Sequence, residues 1–472
     1  MQLSHIRPIA AAKFDDPNLV SCAGLVPTVA LAQQCELAAL ADEQLTVPTD
    51  KGANAGRKIT SLVAGMVGGA DSIDDMAMLR HGAMGTIFDH PYALSTLGSF
   101  LREFTFGHVR RLDAVGPRLL CGLADRTPIV AGIEGSVFVD IDDTIIDVHG
   151  HGKQGSGYGY SGMRGLNALI ATVSTQRAAT VIVGQRLRKG SYGSARGAAR
   201  MLADTVAAVA RLRAAPTDTA TGVGAAPKVL ARADSAFYGY RAVRAAIRGG
   251  ADVSVTVRQT ETVKAAITEI DEDAWTPIEY TDAVYDENTG TWISRAEVAE
   301  IDFTAFTSRT KGQQMPGRLI VRRVPDLNVG ATDQGSLFDT WRFHAFFTTT
   351  DLDTVTAAKT HRQQAIIEQV HADLKNSALA HLPSNHFSAN AAWLVCAVIA
   401  FNLTRAAATL TRAPRLVKAT TASIRRTLIS VPARIASSAR RLTLHLPTNW
   451  PWETAWNTLF DSVFHRNIPI IG

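Results

Sequence analysis

Three stretches of this chain put carboxylates where they are costly unless they are used. In the string VDIDDTIID, Val139 to Asp147, Asp140, Asp142 and Asp143 stand at the end of an apolar, β-branched run. Such groups beside a core strand need a metal ion or a basic partner to offset their desolvation. Asp234 ends a second apolar run, Leu230-Ala-Arg-Ala, just before a segment of helical character. In an open α/β sheet, functional groups collect at strand ends, although a helix N-cap would explain this aspartate equally well. The third stretch is HRQQAIIEQVHADLK, His361 to Lys375. Glu368 and Lys375 are seven residues apart, two turns along one helical face, with Gln364 and His361 one and two turns earlier. Ile366, Ile367, Val370 and Leu374 make the apolar side, so a solvated amphipathic helix is the bland reading. Taken together, two strand-end aspartates and a helix glutamate, in the order D, D, E, supply the ligands for two divalent ions. Such ions, ~3.5–4 Å apart, clamp the attacking and leaving oxygens of an in-line phosphodiester displacement. Mg²⁺ takes hard oxygen ligands and keeps several waters, so three carboxylates and a substrate phosphate suffice.

With these pieces in this order the chain resembles the DDE transposases of bacterial insertion sequences, most closely the insertion-sequence family numbered thirteen-eighty. The matching elements are the D-x-D-x-T strand followed by His149-Gly150 and Gly152-Lys153-Gln154, ARADSAF around Asp234, and the HRQQAIIEQVHADLK helix. The resemblance covers roughly residues 70–410, counting DSIDDMAMLRHG and STLGSFLREF. It implies an RNase H-like catalytic core, with Asp142, Asp234 and Glu368 holding two Mg²⁺ ions, for which Mn²⁺ can substitute. Asp140 is the alternative first aspartate or an added ligand. It implies Lys375 on a phosphate, double-stranded DNA as partner (terminal inverted repeats and target), and a homodimer on that DNA. The pattern Y-x2-R-x3-E-x6-K is departed from: His361 replaces its Tyr and Gln364 its Arg, with Arg362 nearby on another face. Relatives with such an insertion cut the second strand through a hairpin, for which Trp292 and Trp341 are candidate base-stacking residues. Two rivals remain. The D-x-D-x-T string also resembles motif one of haloacid-dehalogenase-type phosphatases, with Asp140 as nucleophile and Asp142 as acid/base, but no G-D-x3-D follows. A catalytically idle, transposase-derived DNA-binding protein is the other.

The elements that must position these residues read as follows. Residues 1–125 are expected to be a helical DNA-binding or dimerisation region, with short helices at Ile59–Val67, Ser72–Leu79 and Ser95–Phe104. Residues 126–258 read as the first part of an α/β core. Its strands are placed at Ser136–Ile141, Leu166–Val173, Ala179–Gly184, Lys228–Ala233 and Asp252–Arg258, its helices at Ser194–Leu212 and Tyr238–Ile247, with a linker at Pro216–Ala226. Residues 259–352 read as a β-rich insertion with a turn at Asn288-Thr-Gly; it fills the 134 residues between Asp234 and Glu368. Residues 353–410 return to the core with helices at Thr354–Leu374 and Ser388–Leu410, and residues 411–472 form a basic, helical C-terminal region.

The 472 residues carry 48 Lys and Arg against 43 Asp and Glu, a net charge of +5 that permits a polyanionic partner. From Arg405 onward there are ten Lys and Arg and two acids, so this stretch, Arg425 and Arg426 included, is a candidate phosphate-binding face. His149, His151 and Lys153 are candidate lining of a DNA channel. Cys22, Cys35, Cys121 and Cys396 form no C-x2-C pair, which argues against a zinc knuckle or disulfide scaffold. No signal-peptide core is visible, and the longest apolar run, Ala391–Phe401, is shorter than the ~20 residues of a membrane span. A cytoplasmic protein, nucleoid-associated when bound to DNA, is expected.

Overall fold

The computed structural model describes residues 11–89, 91–150, 152–214, 227–286, 291–325, 341–438 and 441–465. Side chains are described for these except 279–286 and 291–295. His151, the linker Pro216–Ala226, the turn residues 288–290, Arg440 and Arg466 lie outside the described residues, as does the side chain of Trp292.

The centre of the protein is a ten-stranded mixed sheet. Its pivot is β1 (Val137–Asp147), β-branched and apolar enough to be sandwiched on both edges. β2 (Arg164–Thr175) lies antiparallel beside it, and β3 (Val181–Lys189) follows outside β2. On the other edge β4 (Val229–Ala233) and β5 (Ala251–Val257) run parallel to β1. All five β4 residues are buried, as a central parallel strand requires. Helices α1 (Ala198–Ala214) and α2 (Tyr240–Arg248) pack on each other and on this half of the sheet. This mixed α/β arrangement is consistent with an RNase H-like core.

The sheet does not stop there. β6 (Thr276–Asp286), β7 (Thr291–Ala305), β8 (Met315–Pro325) and β9 (Trp341–Thr348) form an antiparallel meander. Its last strand, β9, pairs with β5, Ala345 opposite Val257. The segment read from sequence as an insertion is thus a lateral extension of the core sheet, and β8 and β9 reach the candidate site.

Two further expectations are corrected. The helix expected over Thr354–Leu374 is two: α3 (Thr354–Arg362), N-capped by Asp353, and α4 (Ile366–Lys375), joined through a 3-10 turn at Gln363–Ala365. The C-terminal region is not simply helical. Ala433–Ser438 pairs with Arg441–His445 and with Leu19–Val20, and Glu453–Phe464 packs on Leu25–Gln34, so segments far apart in the sequence build one body.

That body is joined to the sheet by α5 (Phe387–Leu410), which is long and apolar enough to cross a membrane yet buried within the protein. Asn402 of α5 accepts from the Ile182 backbone N–H (3.0 Å) and donates to the Ile182 carbonyl (2.7 Å). These bonds satisfy β3 where its ladder with β2 slips register.

Candidate active site

Side chains alternate faces along a strand, and that rule sorts the three aspartates of β1. Asp140 and Asp142 share a face with Arg232 and Asp234 of the parallel neighbour, since Asp140 is in register with Arg232. Asp143 projects to the opposite face, where Arg188 donates to it at 2.7 Å and Asn167 donates to it as well.

Asp140 is fully buried, and Arg232 grips it in a fork of 2.7 and 2.8 Å. The guanidinium also donates to the Thr360 carbonyl at 2.7 Å and lies over the Phe138 ring. Both carboxylate oxygens are therefore spent on a structural pair. The alternative assignment of Asp140 as a metal ligand is corrected on this ground, and so is its phosphatase role as nucleophile.

Asp142, one alternation further, stands just past the point where β4 stops pairing with β1, and with Asp234 and Glu368 of α4 it lines one cleft of about 300 Å³. Asp234 caps the turn after β4, its carboxylate accepting from the Ala236 N–H at 3.0 Å. Burial, and then the charges of Asp234, Asp143 and Glu368, push the Asp142 carboxyl up to about 7, against the pull of the Asp143 backbone N–H. Burial raises Asp234 too, with Asp143 adding to the rise and the Ala236 N–H opposing it. Burial first, and neighbouring acid second, thus favour the neutral form of both carboxyls. Their hard-oxygen chemistry fits a divalent ion. Among the described residues, however, no three His, Cys, Asp or Glu side chains already enclose a metal position.

His361, Arg362 and Gln364 line this cleft as well. His361 is not a cation, because burial, and then Arg232, hold its imidazole down at about 3. Its ring stacks on Phe346 at 4.1 Å, and its nitrogens meet Ser254 Oγ (2.8 Å) and Thr256 Oγ1 (3.0 Å). His361, a candidate DNA contact from the sequence, thus lines the cleft as a neutral ring wedged between α3 and the sheet. Lys375 lines a larger cleft of about 1020 Å³ that shares Asp142 and Asp234 with the first.

Other expected DNA contacts fall elsewhere. The Lys153 ammonium donates to the carbonyls of Leu382 and Ser384 and is pinned to that loop. His149 is exposed beyond β1, in neither cleft. Arg425 lies against Gly69 and donates to the Val67 carbonyl at 3.3 Å, a packing role, whereas Arg426 is exposed. Arg405, counted in the basic tail, is buried 3.6 Å from Asp373, which also accepts from the Thr421 N–H at 2.9 Å. Trp341 packs under the Arg323 guanidinium rather than standing free.

Three site residues escaped sequence reasoning. Arg322 and His344, in register on β8 and β9, close the 300 Å³ cleft from the side of the sheet extension. His371, one turn after Glu368, is buried with Nδ1 3.6 Å from an Asp142 oxygen. Burial, and then Lys375, hold it down at about 4, and its Nε2 has no hydrogen-bond partner among the described residues. Its spacing of i+3 from Glu368 was the available signal.

Residues 4–467 match the sequence profile of a family described as transposase DDE domain, group 1. The chain belongs to that family. DDE transposases are enzymes that act on DNA and use divalent ions, typically Mg²⁺, and the carboxylate cleft of this transposase has the donor chemistry for them. No curated protein matches the chain.

Proposed function

We propose that this transposase binds the terminal inverted repeats of an insertion sequence, cleaves DNA there and joins the freed 3′-OH to target DNA. What carries the reading is the convergence of Asp142, Asp234 and Glu368, from two strands and a helix, on one cleft. These three would hold two divalent cations, Mg²⁺ or Mn²⁺, which when bound supply activation of the nucleophile and stabilisation of the leaving oxygen. Burial, with the neighbouring acids adding to it, holds Asp142 up at about 7, so loading of the site by cations would release protons. Lys375 neutralises phosphate charge from the larger cleft, while Arg322 and Arg362 face the smaller. Neutral His361 and the Arg232 fork fix the end of α3 against the sheet and so orient the turn into α4 and Glu368. The family numbered thirteen-eighty is the group we assign it to, acting as a homodimer on double-stranded DNA in the cytoplasm.

The test is a Mg²⁺-dependent nicking assay on a DNA carrying the terminal inverted repeats, with Asp234→Asn as control. Wild-type cleavage lost in Asp234→Asn supports the reading. No cleavage by the wild type, with DNA binding intact, would leave the idle DNA-binding reading. Cleavage at wild-type rate in Asp234→Asn would refute the site.

A further inference from the structure

A separate cleft, of about 580 Å³, shares no lining residue with the two that contain Asp142. It lies where the helices Phe106–Asp113 and Val115–Arg126 meet β3 and α1. Its size is within the roughly 300–1,000 Å³ of small-molecule sites. Four guanidiniums line it, those of Arg110, Arg118, Arg186 and Arg211, together with the carboxylates of Asp113 and Asp204.

The two carboxylates already have partners. Arg110 donates to one Asp113 oxygen at 2.9 Å, and Gln185 donates to the other at 3.1 Å. Arg200, outside the lining, meets both Asp204 oxygens at 2.9 Å. Among the described residues, no carboxylate stands within ion-pair distance of Arg118, Arg186 or Arg211. Arg186 is the half-buried one of these three. Burial, and then Arg110, disfavour its charged form, against the pull of Asp113 and Asp204. An anion beside it would offset both.

An orphaned hydroxyl is a second, independent observation at the same cleft. Thr205 lines it and is 1% exposed, and its Oγ1 has no hydrogen-bond partner among the described residues. Other buried helical threonines donate back along their helix, as Thr404 does to the Ala400 carbonyl at 2.7 Å. The Thr205 oxygen faces β3 instead, since a Cβ on Gly184, also in the lining, would stand 3.3 Å from it. Leaving a buried hydroxyl unpaired is costly, and a ligand oxygen would satisfy it.

Three guanidiniums without carboxylates suit one compact dianion, and a phosphomonoester carries about two negative charges at neutral pH. Leu40, Pro117 and Val183 add apolar lining that inorganic phosphate would leave bare. A polyanionic strand fits less well, because Asp113 and Asp204 stand in the same lining. We propose that this cleft binds a small organic phosphomonoester, its phosphate held by Arg118, Arg186 and Arg211. The site is separate from the cleavage reading and does not depend on it.

The experiment is calorimetric titration of the full chain in EDTA at neutral pH and constant ionic strength, with phenyl phosphate, adenosine 5′-monophosphate and inorganic phosphate as probes. Both esters should bind saturably and more tightly than inorganic phosphate. Arg186→Gln should weaken ester binding roughly 10- to 100-fold, as loss of charge-assisted hydrogen bonds does. Arg118→Gln, at an exposed position, should weaken it in the same direction, and Arg111→Gln, exposed and outside the lining, should leave it unchanged. Bound ester should also slow alkylation of Cys121 by iodoacetamide, because Cys121 lines the cleft and the other three cysteines are buried. No saturable binding of either ester, an equal loss in Arg111→Gln, or unchanged Cys121 alkylation would each overturn the site. Displacement of the ester by duplex DNA would overturn it too, assigning these arginines to a DNA backbone.

Discussion

Replacing Arg232 by Met tests whether Asp140 of β1 is held for structure. Asp140 and Arg232 are 0% and 1% exposed, so neither has water to fall back on. The Arg fork closes both Asp140 oxygens at 2.7 and 2.8 Å, and its remaining nitrogen reaches the Thr360 carbonyl. Met is of similar length and removes the charge, leaving a buried carboxylate alone. Breaking one side of such a pair costs about 3–5 kcal/mol, and the orphaned Thr360 carbonyl adds ~1 kcal/mol. Burial already raises the Asp140 carboxyl with Arg232 present, so without it the group will take up a proton. Urea denaturation at pH 7 should therefore show Arg232→Met less stable by about 3–5 kcal/mol. The double variant Asp140→Leu/Arg232→Met should recover most of the loss, because an apolar pair of similar volume often replaces a buried ion pair without penalty. A loss below about 1 kcal/mol in the single variant, the level of an exposed pair, or a double variant no better than the single, would refute the reasoning.

Further outcomes follow from the same geometry. Asp142 is held at about 7 in the fold against an ordinary value of 3.8, so its protonated form stabilises the fold below pH 3.8 and that contribution is lost as pH rises through 7. In EDTA, Asp142→Asn should be more stable than wild type at pH 8 by on the order of 2 kcal/mol, after discounting for partial solvent access. The advantage should shrink toward pH 4; one that ignores pH contradicts the burial of Asp142 among other acids. His361 and His371 are held at about 3 and 4, below the ordinary 6.5, so both fold as neutral rings. Their contribution is complete above pH 6.5 and falls as they must be charged, and His361→Gln should flatten the loss of denaturation midpoint between pH 6.5 and 4. Lys375→Ala should weaken DNA binding across sequences and reduce the slope of log K against log salt by about one, as for a single phosphate contact. Asn402→Leu strips the Ile182 backbone of both partners and should cost about 2–4 kcal/mol in thermal or urea unfolding.

Strand chemistry was legible in the sequence because it is local. The β-branched run at Val137–Asp147, the apolar run ending at Asp234, and the stripe Ile367, Val370 and Leu374 behind Glu368 each declare their element and its face. Which aspartate of D-x-D is tied into the fold by a buried ion pair was not legible. Asp140 and Asp142 share a face, and what separates them is a guanidinium 92 residues away. The stretch 259–352 showed strands and turns, but strand order is a long-range property, so its fusion to β5 through β9 left no local mark. Arg322 and His344 were missed for the same reason. The break at Gln363–Ala365 lies inside an unbroken helical period. The basic tail misled because composition counts charge without partners: Arg405 is buried beside Asp373 and Arg425 against Gly69.

The central claim is that Asp142, Asp234 and Glu368 share their cations, and Fe²⁺-directed hydroxyl-radical cutting of the polypeptide tests it most directly. Fe²⁺ bound in place of Mg²⁺, with ascorbate and peroxide, cuts backbone within reach of the ion. The account predicts breaks clustered around residues 142, 234 and 368, suppressed by excess Mg²⁺ and absent in Asp234→Asn. Breaks at one of these places without the others, or a pattern unchanged in Asp234→Asn, would contradict it.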